Sequence, residues 1–280
     1  MLVDVGDTRL HVEERGRGAL ALIALHGGSG LDHTMFGHWL DPDGDEYRLL
    51  LVDERAQGHS EAAPRETWTL TQHARDVDAL ATALELERYA VLGHSFGAFV
   101  ALQHAVDFPG RPAGTIVSSG LPSERFLDHV EHQLARFEPV ELREQVTSSW
   151  AREAEARTPE EVGALLADQL PFHFADPRDA RIDDMRAAMR DAVYEPDVLR
   201  AAATDGYGHI EVEDRLAGVT HPVLVLAGRH DRTCSVEGAE AIAAGIPGAE
   251  LVVFEHSAHM AFVEEPEAYR VAVGRFLARI

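Results

Sequence analysis

A chain of 280 residues, 45% hydrophobic and 26% charged, has the makeup of a soluble globular enzyme and room for one large α/β domain with an insertion, or for two small domains. Its net charge of −23, with no basic stripe to offset it, argues against nucleic acid or an anionic membrane as partner. All 25 basic residues are arginine and asparagine is absent too, which excludes a Schiff-base lysine, a phosphate-loop lysine, a Ser-Lys dyad and N-glycosylation.

Residues 2–14 alternate loosely (Leu2, Val3, Val5, then Leu10 and Val12) and predict an antiparallel edge hairpin turned at Gly6-Asp7. Ala19 to Leu25 is an unbroken apolar run, the mark of a strand buried on both faces. It leads into His26-Gly27-Gly28-Ser29-Gly30, a loop whose glycines expose backbone N–H groups to whatever sits above the sheet. Leu49 to Val52 predicts the next buried strand, which ends at Asp53-Glu54-Arg55-Ala56-Gln57-Gly58-His59-Ser60. Thr71 to Leu84 has helical spacing and feeds a further strand, Tyr89 to Leu92. The turn Gly93-His94-Ser95-Phe96-Gly97 follows, and then a helix from about Phe96 to Val106. A serine in a Gly-x-Ser-x-Gly turn between strand and helix sits in a cramped backbone, which the flanking glycines make room for. Its hydroxyl then projects from the carboxyl edge of the sheet, where the first N–H groups of the helix also point.

Thr115 to Val117 predicts another buried strand, followed by Ser118-Ser119-Gly120. From about Pro122 to His209 no buried strand is legible. Helical segments rich in Arg, Glu and Ala carry scattered aromatics there, with breaks expected near Pro139, Pro159, Pro171, Pro177 and Pro196. The sheet resumes at Pro222 to Ala227 and ends in Gly228-Arg229-His230-Asp231. A helix over Val236 to Ala244, a strand over Glu250 to Phe254, the loop Glu255-His256-Ser257-Ala258-His259 and a helix over Pro266 to Leu277 complete the chain. Alternating strands and helices predict an α/β fold, a mostly parallel, doubly wound sheet with a helical cap. The core is expected at 1–121 and 210–280, and the cap insertion at 122–209.

Ser95, Asp231 and His259 stand at the ends of three predicted buried strands, in that chain order. Serine is a poor nucleophile until an imidazole takes its proton, and the imidazole needs a carboxylate to fix its tautomer and steady its charge. Loops after different parallel strands converge at the carboxyl edge, so residues distant in sequence meet there. The order Ser, Asp, His is that of the α/β-hydrolases. Together with the His-Gly-Gly-x-Gly loop at 26–30, a degenerate Asp-x-Arg-Gly-x-Gly-x-Ser block at 53–60 and the Ser-x-His at 257–259, it makes the sequence similar to α/β-hydrolases of the proline iminopeptidase, esterase and lactonase group.

The resemblance implies Ser95 as nucleophile, Asp231 as acid, His259 as base, and the N–H groups of Gly28 and Phe96 as oxyanion hole. Glu124 is the rival acid, since some members take theirs from the end of the preceding strand. Two positions depart from the peptidase pattern near the loops, Ala56 for a glycine and Ser29 for a proline. A third is Arg232, where those peptidases carry a glutamate that meets the substrate's ammonium group. A guanidinium there favours a neutral substrate, while Glu211 and Glu213 remain as alternative amine anchors. The expected pocket residues are Ser29, Trp150, Phe172, Phe174, Tyr207 and Arg232.

The expectation is therefore a cofactor-free serine hydrolase acting on a small, largely apolar ester or lactone. An aminopeptidase of the proline iminopeptidase type and a non-enzymatic ligand-binding protein of the same fold are the alternatives. No metal is expected: His129 and His132, one helical turn apart, have no third ligand nearby in sequence. The single Cys234 excludes an internal disulfide, and no leader or run of 18 apolar residues is present, so the cytoplasm is the expected compartment. The expected partner is the small-molecule substrate, and self-association is left open.

Overall fold

In the computed structural model, which describes Met1–Ile280, eight strands form one sheet. They are β1 (Leu2–Asp4), β2 (Arg9–Arg15), β3 (Ala21–Leu25), β4 (Arg48–Val52), β5 (Tyr89–His94), β6 (Gly114–Ser118), β7 (Val223–Gly228) and β8 (Glu250–Phe254). Their spatial order is β1-β2-β4-β3-β5-β6-β7-β8. β1 and β2 pair antiparallel, as does β2 with β4, and every other pairing is parallel. The hairpin turns at Gly6, whose φ of +114° suits glycine. The chain order reverses between β3 and β5, which opens a crevice at the carboxyl edge between the loops that follow them.

The helices are α1 (Leu70–Ala83), α2 (Phe96–Asp107), α3 (Val130–Ala135), α4 (Val140–Ala151), α5 (Pro159–His173), α6 (Arg181–Ala188), α7 (Pro196–Thr204), α8 (Val236–Gly245), α9 (Ala261–Glu264) and α10 (Pro266–Leu277). The continuous apolar strands divide their side chains between two cores, one on each face, as a period of two requires. Ile23, Leu25, Leu50 and Val52 pack with α1, α2 and α8, whereas Leu22, Ala24, Leu49 and Leu51 pack with α9 and α10. Burying a side chain of this size stabilises by about 1.5–3 kcal/mol, so this two-sided burial is the main driving force for the sheet.

α3 to α7 all lie between β6 and β7. The two ends of that insertion are joined: Val212 N–H donates to Pro122 O at 2.9 Å, and Glu124 N–H to Ile210 O at 3.1 Å. Prolines start three of the insertion's helices, with Pro139 as the cap of α4 and Pro159 and Pro196 at the first positions of α5 and α7. Thr158 and Glu161 close a reciprocal capping box on α5. Pro171, expected as a break, instead lies inside α5. Its missing N–H would leave Ala167 O without a donor, and Arg186 Nη2 supplies one at 3.2 Å. No helix is long and apolar enough to cross a membrane.

The start of α2 is pressed against the sheet at Gly97, where a Cβ would lie 2.3 Å from Leu25 O and 2.5 Å from His26 O. Those atoms are backbone and cannot turn aside. Gly97→Ala is expected to destabilise the protein by about 2 kcal/mol or more in urea unfolding, as forced overpacking does. An unchanged midpoint would contradict the close approach.

Candidate active site

Ser95 is the residue between β5 and α2, with φ 55° and ψ −117°. For a residue with a side chain this conformation costs of order 1–3 kcal/mol, and persists only when neighbours over-determine it. They do: Ser95 N–H donates to Ser118 O and Gly97 N–H to His26 O, each at 3.0 Å. Gly27 brings the β3 loop so close that a Cβ there would meet Ser95 Cβ at 2.9 Å. The N–H of Phe96, at the first helical position, has no acceptor within its helix. Gly28, at φ +67°, lies on the wall of the same cavity.

His259 and Asp231 are both buried. His259 Nδ1–H donates to Asp231 Oδ2 at 2.8 Å. The other carboxylate oxygen accepts the N–H groups of Thr233 and Cys234 and the Thr233 hydroxyl, all at 2.9 Å. Burial pushes the Asp231 carboxyl up, but the charge and hydrogen bond of His259 and the two backbone N–H groups outweigh it and hold the group at about 2. Thr233 Oγ1 also lies 2.9 Å from His259 Nδ1, beside the carboxylate at the same ring nitrogen. Ser95 and His259 line one cavity without a hydrogen bond between them, a looseness common in sites that hold no substrate. Glu124, the rival acid, lies at the neck of the insertion, where Oε1 accepts from His209 Nδ1 at 2.6 Å.

Two further imidazoles flank His259, and the sequence drew no attention to the second of them. The rings of His94 and His173 each have their centroid 4.9 Å from that of His259. Burial drives the His173 pKa down to about 3 and that of His94 well below its ordinary value, so both rings are neutral. His173 O also accepts the N–H of His259 at 3.0 Å. The only sequence signal for His173 was its place between two phenylalanines at the end of a helix.

The cavity, of about 280 Å³, is lined by 25 residues, 15 of them hydrophobic. Ser29, Trp150 and Tyr207 are on its wall as expected, whereas Phe172, Phe174 and Arg232 are not. Phe172 is turned by about 100° from His173 within α5, and Phe174 follows the helix end in an extended conformation. Phe172 packs on Phe137 and Val146, and Phe174 joins the core beneath the sheet. Arg232 donates to Phe172 O, Phe174 O and Ala175 O at 2.9, 2.7 and 3.3 Å, capping the end of α5. The electrostatic case for a neutral substrate that was built on Arg232 therefore fails. Glu211 and Glu213 are elsewhere too, the first on Ser123 Oγ and the second paired with Arg125. Glu153, unnoticed among the many glutamates of the insertion, is the one carboxylate on the cavity wall. Burial raises its pKa, opposed by hydrogen bonds from Tyr207 and Gln169.

His129, one helical turn from His132, donates Nδ1–H to Phe126 O at 2.7 Å. Cys234 is on the wall, and burial pushes its thiol well up, so it holds its proton.

Two substitutions test this arrangement. Arg232→Glu is expected to lower stability by at least about 2 kcal/mol, because three carbonyls lose a charged donor. Its effect on substrate preference should be small, and a large change in preference at unchanged stability would contradict the capping role. Glu264 accepts Ala175 N–H and Ala258 N–H, tying the end of α5 to the His259 loop, and burial raises its pKa from 4.5 to about 7. A raised folded pKa means that the fold favours the neutral acid, so stability is full below 4.5 and declines as pH rises toward 7. Urea midpoints between those limits should fall with pH in the wild type and flatten in Glu264→Gln.

Residues 21–266 match the family model described as alpha/beta hydrolase fold. A proline iminopeptidase of Heyndrickxia coagulans is 26% identical over 96% of this chain and 93% of its own length. A 2-hydroxy-6-oxononadienedioate/2-hydroxy-6-oxononatrienedioate hydrolase of Cupriavidus pinatubonensis is 26% identical over 97% and 92%. Among solved structures, an esterase of Exiguobacterium antarcticum superposes with a TM-score of 0.78 at 22% identity, over 99% of each chain. With its family model matched over most of its length, the chain belongs to the alpha/beta hydrolase fold family.

Proposed function

We propose that this protein is a serine hydrolase that cleaves a carboxylic ester or lactone of a small, largely apolar substrate through an acyl-enzyme. The observation that carries this reading is the buried Asp231–His259 pair facing a cavity that Ser95 also lines. His259 takes the Ser95 proton as the hydroxyl oxygen attacks the carbonyl carbon, and the imidazolium is steadied by Asp231. The oxyanion is met by the N–H groups of Phe96 and Gly28. His259 then returns the proton to the leaving oxygen, and a water activated by the same imidazole releases the acid. The mainly apolar wall supports an apolar acyl or leaving group, since 15 of its 25 residues are hydrophobic.

Glu153 favours a second reading, an aminopeptidase of the proline iminopeptidase type. As the one carboxylate on the wall it could ionise to meet an ammonium group, with Tyr207 and Gln169 holding it. Against this stands its burial, which raises its pKa and favours the neutral acid despite the donors Tyr207 and Gln169.

Ser95→Ala is expected to lower kcat by several orders of magnitude while leaving the fold intact, and activity within tenfold of wild type would remove Ser95 from the chemistry. Asp231→Asn should cost far more than Glu124→Gln, because an amide steadies the wrong imidazole tautomer. Asp231 stays ionised down to about pH 2, so protonation of this carboxylate should not limit activity above that pH. The two substrate readings separate in a panel of p-nitrophenyl esters, lactones and Pro-p-nitroanilide. Preference for esters or lactones with little effect of Glu153→Gln is expected. Preference for Pro-p-nitroanilide, lost in Glu153→Gln, would establish the aminopeptidase.

A further inference from the structure

Away from the cavity, three histidines from three separate segments gather around one buried carboxylate. His11 comes from β2, His33 from the single turn after the β3 loop, and Asp53 and His59 from the loop after β4. Nδ1 of His33 lies 2.6 Å from Asp53 Oδ1, while Nδ1 of His59 and of His11 lie 3.1 and 3.2 Å from Oδ2. One donor atom from each of the four residues falls within 4.8 Å of all the others. The Asp53 side chain is fully enclosed, and His59, 46% exposed, forms the open side of the cluster.

One feature is poorly explained by hydrogen bonding alone, and a second is compatible with a cation. Asp53 already accepts the backbone N–H of His33 and of His59, each at 2.8 Å, besides the His33 and His59 rings. That leaves His11 Nδ1 buried with no hydrogen-bond partner, although Oδ2 is close. His33 also has a carboxylate at each nitrogen, with Glu13 Oε2 at 3.2 Å from Nε2. A protonated ring donates to both, whereas a neutral one has a single N–H and satisfies only one of the two. A cation at Nδ1 with the proton on Nε2 satisfies both, in the carboxylate–histidine–metal pattern that orients ligands elsewhere.

We propose that His11, His33, His59 and Asp53 bind a divalent transition-metal cation of the Zn²⁺ class, with Glu13 holding the His33 tautomer from outside. Three imidazole nitrogens and one carboxylate oxygen are a donor set that suits Zn²⁺ or Co²⁺ and not the all-oxygen preference of Mg²⁺ or Ca²⁺. His11 and His59 are the partly exposed members, able to close on the ion by side-chain rotation. An ion there joins β2 to the segments after β3 and β4, so binding the folded chain alone stabilises it.

The test uses the full chain after removal of metal by chelator, titrated with Co²⁺ and then Zn²⁺. One equivalent of Co²⁺ with the visible absorption of a tetrahedral ion is expected, displaced by Zn²⁺, together with a rise in Tm. His11→Ala and His59→Ala, both at partly exposed positions, should each weaken binding by about tenfold or more. The paired variant His129→Ala/His132→Ala should bind as wild type does. Absence of saturable binding up to about 1 mM would overturn the proposal. So would an affinity and stoichiometry unaltered in His11→Ala and His59→Ala, which would move the ion to other histidines.

Discussion

The closeness of α2 to the sheet at the Ser95 turn is the constraint on which the other features depend. A Cβ at Gly93 would lie 2.0 Å from Gly97 O, and one at Gly97 would lie 2.3 Å from Leu25 O. With both side chains absent, the helix begins directly against β3 and β5, and Ser95 is held at a positive φ by packing on every side. The same approach brings the β3 loop against Ser95, so Gly28, Ser95 and Phe96 line one cavity. Local backbone strain is thus sustained by two hydrophobic cores that close on either face of the sheet.

Around His259 the protein solves a different problem, which is how to keep a carboxylate ionised in a dry place. Asp231 is buried, and desolvation alone would protonate it. Two backbone N–H groups, a hydroxyl and the His259 ring outweigh that penalty. The neutral rings of His94 and His173 then enclose the imidazole without adding a competing charge, since burial keeps both unprotonated. One of these comes from the serine turn and the other from the insertion, so the imidazole environment is complete only when both parts of the chain are assembled.

The insertion in turn is anchored by interactions that carry no information about substrate. Arg232 and Glu264 bind the backbone at the end of α5, one through three carbonyls and the other through the N–H of Ala175. A guanidinium next to a catalytic-type aspartate looks, in a linear sequence, like a specificity element. In three dimensions it is a helix cap. The insertion's contribution to the cavity wall includes instead Trp150, Glu153 and Tyr207.

The sequence by itself determined the strand order along the chain, the serine turn and the Asp231–His259 pairing. These depend on local signals: unbroken apolar runs for doubly buried strands, glycines where side chains cannot fit, and polar residues placed just after strand ends. Even Ala56 was legible as a departure, and it does adopt a φ of 60° where glycine would be at ease. What only the tertiary structure decided was which side chains share a space. His173 was passed over while Phe172 and Phe174 were chosen, because no periodic pattern fixed the phase of α5 or the place where it ends. Glu153 was one acid among many until burial and its partners set it apart. The His11, His33 and His59 cluster could not be seen at all, since strand pairing between β2 and β4 and the turn after β3 bring it together. Proximity between distant segments is a property of packing, and composition and periodicity do not encode it residue by residue.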